Sequence, residues 1–418
     1  MVAVSAKLTN WAGNITFSAL RTHQPTSLDE LRRLVAGSPQ IRAVGSGHSF
    51  SAVADTPGDL VALHRLPRTV QIDRLAATAT VSGAITYAEL VGQLNQAGFA
   101  LANLASLPHI TVAGTVATGT HGSGSAQRCL SAAVSALRLV GPDGDVVDLR
   151  RDADGERFGG CVVSLGALGI VTDVTLDLEP AYQMTQRVRV GVPLADVARR
   201  PYEVLDAAYS VSVFTDWRAD DALVFLKHRT DQPAVTWDGG RDAAEMTHPV
   251  RGMPTDSCTA QLGVPGWWHE RLPHFRPDSV PGVGDQLQSE YYLPRAAAPD
   301  AFAALLELGE TMAPVLHVSE VRTVRGDDLW LSPAYGRDSV TFHFTWRRAW
   351  SDVLPVMTAV EQALAPLGAR PHWGKLTAIP PTQIVRQHGR AADFASLLRE
   401  HDPDRVFGNA LIDQLFGG

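Results

Sequence analysis

Two stretches rich in glycine and hydroxyl residues, VGSGHSF at residues 44–50 and TVAGTVATGTHGSG at residues 111–124, constrain this chain more than any other feature. Glycines let a backbone approach a ligand closely, and successive N–H groups in such turns form anion-binding nests. The first stretch is not the G-x-G-x-x-G turn of a nicotinamide dinucleotide site, because position 50 is Phe. The residues after it, SAVADTPGDLVAL, hold a Pro-Gly turn and no helical stripe, so no helix N-terminus stands ready for a pyrophosphate. Two such stretches in one region suit a dinucleotide held between loops. Gly45 and Gly47 in the first, and Gly114, Gly119, Gly122 and Gly124 in the second, are the close-approach positions; Thr115, Thr118 and Ser123 are expected to donate to phosphate oxygens. SLGALGIV at residues 164–171, with Gly166 and Gly169, is a third such segment or a glycine-rich bend packed in the core.

The rest of the chain bounds what surrounds these loops. A length of 418 residues exceeds what one hydrophobic core supports and predicts two domains. With 45% apolar and 19% charged residues the composition is globular, and a net charge of −8 without a basic run leaves no footprint for nucleic acid or anionic lipid. The odd count of three cysteines predicts no disulfide framework. MVAVSAKLTNWAGN lacks a basic segment followed by an apolar one, so a cytoplasmic location is expected. No strong apolar stripe argues for an obligate dimer, and a monomer is expected. HERLPH places its histidines, His269 and His274, five apart with Pro273 before the second; a zinc helix needs them four apart, and no metal site is expected.

Local patterns divide the chain near Glu179-Pro180. Before it, capping boxes at Ser27–Glu30 and Thr86–Glu89 open two short helices, and ALRLV, GPDGDVVDL and GIVTDVTLDLEP read as strand, hairpin and strand. After it, SVSVFTDW, ALVFLKHRT and SVTFHFTW alternate apolar and polar residues, as in an antiparallel sheet with one solvated face. Eight of the nine tryptophans fall between residue 181 and the seam at Trp373, and ADFASLLREHDP is helical again, with Phe394, Leu397 and Leu398 on one face. Residues 1–180, completed by 373–418, are expected to form one domain and residues 181–372 the other.

GSGHS, TGTHGSG, SLGALGIVT and RPHWGK, together with NWAGN, NLASLPHI, FTDWR, PGWWHERLPHF, LQSEYYLPR and WLSPAYGRD, resemble the vanillyl-alcohol-oxidase superfamily of flavoproteins, in the branch of alditol and aldonolactone oxidases. The resemblance runs from about residue 9 to the end. It implies an α+β fold, with an FAD-binding domain of two subdomains and a cap domain built on a large antiparallel sheet flanked by helices. It also implies that His48 carries FAD covalently on its 8α-methyl carbon, which would explain an imidazole inside a phosphate-type loop. Imidazole is a competent nucleophile once deprotonated, and its attachment would raise the flavin potential. Further cofactor contacts are implied at Ser46, Ser49, Ser106, His121, Ile170, His372 and Asn409.

For the substrate, the resemblance implies a polyol site of Ser106, Gln288, Glu320, Arg322, His343, Thr345 and Lys375. Glu320 and Arg322, like His343 and Thr345, are two apart in strand-like segments and project from one face. From spacing alone that face reads as solvated; the resemblance makes it a pocket floor. The expected reaction is oxidation of a terminal alditol hydroxyl (xylitol, sorbitol), with hydride passing to flavin N5 and dioxygen reduced to hydrogen peroxide. Lys375, Arg322 and Glu320 are the expected catalytic groups: Arg322 and Lys375 against the developing alkoxide, Lys375 also as base if Arg322 depresses its pKa, and Glu320 orienting a neighbouring hydroxyl. The alternative is an aldonolactone oxidase or dehydrogenase on the same scaffold.

Overall fold

The computed structural model describes residues 8–218, 220–233, 237–279 and 286–417. The start of MVAVSAKLTNWAGN, on which the expected cytoplasmic location rests, lies outside the described residues. The first half opens on a three-stranded parallel sheet, Arg21–His23, Asp59–Ala62 and Ile41–Val44, with Asp59–Ala62 in the centre. Next comes a five-stranded antiparallel sheet, in spatial order Val70–Asp73, Thr78–Ser82, Ile170–Asp177, Val134–Val140 and Val146–Arg150. The helix Tyr87–Gln96 starts on the reciprocal Thr86–Glu89 box, buries Tyr87, Leu90, Val91 and Leu94, and ends shortly before Gly98, whose φ of +84° turns the chain away. At the other helix, Leu28–Ala36, only half of the expected box forms. Ser27 accepts from Glu30 N, but the Glu30 carboxylate turns to the N–H and hydroxyl of Thr26, which offer it two donors at 2.8 and 2.9 Å.

The second half is built on a sheet of nine strands among the described residues. Its path runs Arg241–Asp242, Gln183–Pro193, Asp221–Arg229, Ser210–Thr215, Leu316–Val324, Ser339–Arg347, Gln286–Pro294 and Arg370–Pro371, with Gly266–Trp267 also on Gln183–Pro193. Alternation along its central strands sorts the side chains. Val321, Phe342, Phe344, Trp346 and Tyr291 share one cluster with Phe302, Val353, Met357 and Val360 of the helices Ala298–Glu307 and Trp350–Leu364. The opposite face carries Gln288, Glu290, Glu320, Arg322, His343 and Thr345, all of them buried. The solvated face expected from the alternation is absent from these strands, because the glycine-rich first half covers it: Gly124 N donates to Thr323 O at 3.0 Å, beside a parallel bridge from Gly124 to Val324.

The chain's end returns to its beginning. Ile41 N donates to Val406 O at 2.7 Å, Val406 and Phe407 pack with Leu31 and Val35, and Phe50 N donates to Gly374 O at 2.7 Å. No helix among the described residues is long and apolar enough to cross a membrane.

Candidate active site

A cavity of about 620 Å³ runs from the two glycine-rich stretches to the polar face of the large sheet. Its wall includes Gly45, Ser46, Gly47, His48, Ser49, Ser106, Gly114, Thr115, Thr118 and Gly169 from loops and the glycine-rich segments, and Gln288, Glu320, Arg322, His343 and Thr345 from the sheet, with His121, His372 and Lys375 beside the sheet residues. Gly45 lies so close to Thr111 that a Cβ there would collide with its Oγ1; a Cβ on Gly114 would come within 2.8 Å of the same atom. Gly47 sits at φ +64°, which puts His48 on the cavity side while Gly47 O accepts from Trp11 N at 2.8 Å. The His48 ring lies 4.5 Å from the Trp11 ring, and burial, then the charge of Lys375, pushes it down to about 3, so the imidazole is neutral.

Four expected cofactor positions lie outside the cavity wall, each with a packing task. Gly119 takes φ +64° beneath Pro333, and a Cβ on Gly122 would overlap Asn103. Ile170 begins a strand and packs with Leu31 and Val140, away from the loops. Asn409 caps the last helix and donates to the carbonyls of Ala52, Val53 and Asp55, tying the C-terminal segment to the residues after the His48 loop.

The hydroxyls of the second stretch are also committed elsewhere. Residues Val112–Ala117, expected to be loop, close into a short helix in which Thr115 donates to Val112 O and Thr118 to Gly114 O. Ser123 donates to Val211 O and stays off the cavity wall. Back-bonding of this kind leaves main-chain N–H groups and lone pairs, rather than threonine O–H donors, to meet a ligand. The exception is Thr111, whose buried Oγ1 has no partner. An orphaned hydroxyl between two glycines that no larger residue could replace, opening on this cavity, fits a dinucleotide such as FAD.

At the other end the sheet register builds the charge pattern. Glu320 pairs with His343, His343 with Glu290, and Gln288 with Thr345 across three adjacent strands. Glu290, which the sequence reading passed over, is the hub. It accepts from Arg322 Nη2 at 2.6 Å, and the ring nitrogens of His121 and His343 stand 2.9 and 3.4 Å from its oxygens. Burial alone would raise its carboxyl, but Arg322 and then His121 hold it well below the usual range. Glu320 is likewise held low, against burial, by Arg322 and His274, its Oε2 lying 3.6 Å from Arg322 Nε. That Nε is buried and has no hydrogen-bond partner. Lys375 reaches Gln288 Oε1, and burial lowers its ammonium to about 8. Arg322 adds to that depression as a smaller cause, not the leading one anticipated from the sequence.

His274, set aside with the HERLPH loop, is in the cavity wall, bonded to Glu320 at 3.0 Å. Among the described residues no group of three or more His, Cys, Asp or Glu could hold a metal ion.

Burial also makes the fold acid-sensitive. It pushes His274 down to about 4 and His372 and His388 to about 3; both ring nitrogens of His388 lack partners. Each folded pKa lies below the unfolded one, so the stability they contribute is complete above about pH 6.5 and is lost as pH falls from there toward 3, at about 1.4 kcal/mol per pH unit per imidazole. Urea unfolding of the holoprotein should show a marked loss between pH 7 and 5.5; equal free energies at the two would contradict these burials.

The comparisons with known proteins agree with this geometry. A family model described as an FAD binding domain matches residues 20–150, and one described as D-arabinono-1,4-lactone oxidase matches residues 283–415. Among solved structures, cholesterol oxidase from B. sterolicum aligns with a TM-score of 0.76 at 13% identity, covering 98% of this chain and 96% of that one. Glucooligosaccharide oxidase from Acremonium strictum, a protein with a 6-S-cysteinyl, 8α-N1-histidyl FAD, aligns with a TM-score of 0.74 at 14% identity, over 96% and 93%. Fold, cavity and domain match together define an FAD-dependent oxidoreductase with the architecture of the vanillyl-alcohol-oxidase flavoproteins. The alditol oxidase of Streptomyces sp. (strain IKD472 / FERM P-14339) is 48% identical over 99% of this chain and 100% of its own length. The L-gulono-1,4-lactone dehydrogenase of Mycobacterium tuberculosis is 28% identical over 98% of each. The chain belongs to the alditol oxidase family.

Proposed function

We propose that this protein oxidises the terminal hydroxyl of an alditol such as xylitol or sorbitol to the aldose, with dioxygen as acceptor and hydrogen peroxide as product. The observation that carries the reading is that Lys375 and Arg322 line the same cavity as His48. Bound FAD supplies the hydride acceptor and, once reduced, the reductant for dioxygen.

The side chains supply the rest. Lys375, lowered to about 8, takes the proton of the reacting hydroxyl. Its new ammonium and the unpaired Nε–H of Arg322 then face the alkoxide, in a buried setting where such donors act strongly. Glu320 and Ser106 orient the neighbouring hydroxyl, and Gln288, His343 and Thr345 reach the distal ones. A pocket with this many buried polar groups rejects a substrate that leaves them unpaired. A polyol panel with peroxide detection tests the reading: xylitol and sorbitol should outpace L-gulono- and L-galactono-1,4-lactone, and faster turnover of a lactone would move the protein to the lactone branch.

His48 is the proposed attachment point of the flavin. Its neutral ring, on the cavity wall and 4.5 Å from the Trp11 ring, keeps a nucleophilic lone pair. Acid precipitation of the holoprotein should leave the yellow colour in the pellet, and His48→Ala should release it to the supernatant. Colour lost from the unaltered protein would end this assignment.

A further inference from the structure

Behind the substrate end of the cavity runs a buried chain of polar groups that the reaction does not touch directly. Lys227, on the strand Asp221–Arg229, is 1% exposed. Its Nζ donates to the carbonyls of Leu272 and Pro273 and lies 3.4 Å from Nδ1 of His274. Nε2 of that imidazole stands 3.0 Å from Oε1 of Glu320 and 3.3 Å from Ser212 Oγ. Phe214 and Phe225 box the ring edge-on, with centroids 5.3 and 5.5 Å away, so it cannot turn without displacing both.

These contacts decide where the single ring proton sits. The Glu320 carboxylate, held ionised by Arg322, only accepts, so Nε2 must carry the N–H. Lys227 then donates to the lone pair on Nδ1. A second ring proton would point at the lysine N–H, and burial pulls the imidazole down to about 4 in any case. Burial also lowers the lysine to about 7; as the ammonium it carries three N–H groups, one each for the carbonyls of Leu272 and Pro273 and one for Nδ1.

We propose that Lys227 is a positioning residue: by occupying Nδ1 it locks His274 as the Nε2–H tautomer, and His274 thereby fixes the Glu320 carboxylate with Oε2 turned to Arg322 and the substrate hydroxyl. The same lysine anchors the turn whose N–H groups, at His274 and Phe275, donate to Ser106 O at 3.2 and 3.4 Å. Two of the groups assigned to the hydroxyl next to the reacting one therefore hang on one buried amine. The inference rests on the reading of Glu320 and Ser106 as substrate groups.

The test has two arms on the holoenzyme. Nitrogen-15 NMR of histidine-labelled protein should show His274 with a bare Nδ1 and a protonated Nε2; a reversed or doubly protonated ring overturns the proposal. This arm needs no substrate, so a protein that turned over no polyol yet showed that tautomer would sink the functional reading and leave the lock standing. In kinetics, Lys227→Met should lower kcat/KM for xylitol about tenfold, the worth of one buried hydrogen bond. In a His274→Gln background, whose amide donates to Glu320 without a tautomer to choose, the same substitution should cost less than about twofold. An equal loss in both backgrounds means that Lys227 only supports the fold, and overturns the proposal. Should Lys227→Met fail to fold, a reversed or doubly protonated His274 ring in the NMR arm still overturns the proposal.

Discussion

Lys375→Met will slow anaerobic reduction of the flavin by xylitol about a thousandfold, the middle of the range for loss of a positioned general base. Methionine keeps most of the side-chain volume over the Phe50 ring, 5.2 Å below Nζ, so the pocket keeps its shape and loses only the amine. The active form is the neutral amine. Below about pH 8 its fraction rises tenfold per pH unit, so kcat/KM of the unaltered enzyme should climb with pH and level off above about 8. The variant should lose that limb as well as the rate. An unchanged rate of flavin bleaching would remove Lys375 from the chemistry; a lower rate with the same pH profile would assign the base elsewhere.

The second large effect is on stability. Arg322 lies between Glu290 and Glu320, 2.6 Å from one and 3.6 Å from the other, with all three side chains buried. Arg322→Met leaves two carboxylates facing each other without their shared cation. Breaking a buried pair in this way costs about 3–5 kcal/mol, more than its intact net worth, because a desolvated charge is left behind. Urea unfolding of holoprotein should register that loss at pH 7. Loss of a donor from the alkoxide site should also lower the rate of flavin reduction about a hundredfold. A variant as stable as the parent would show that the buried contacts of Arg322 with Glu290 and Glu320 do not carry this cost.

The pairing of Arg322 with Glu290 shows where sequence reading reaches its limit. Alternation placed Glu320 with Arg322, and His343 with Thr345, on common faces, and the strands bear this out. It could not say what covers that face. The cover comes from His121, 169 residues before Glu290, and from the His274 turn, and no local pattern links them. Glu290 was visible in LQSEYY two residues after Gln288, in the same phase; that spacing was the signal that could have found it. Lys227 gave no signal, since a lysine in ALVFLKHRT looks like any solvent-facing lysine on an alternating strand.

The loops divide in the same way. Glycine identity at 45, 47 and 114 already fixed that a backbone must pass close to something, because only glycine leaves that space and tolerates φ +64° at position 47. Which hydroxyls remain free was decided by the short helix Val112–Ala117, whose own carbonyls take the threonine protons.

What the sequence determined alone was therefore backbone chemistry and phase: where glycine is obligatory, where a helix is capped, which residues share a strand face. What only the tertiary structure decided was partnership and charge. Those depend on burial and on neighbours far away in the chain, and the desolvation that lowers Lys375 to about 8 exists only once two halves of the molecule have closed over it.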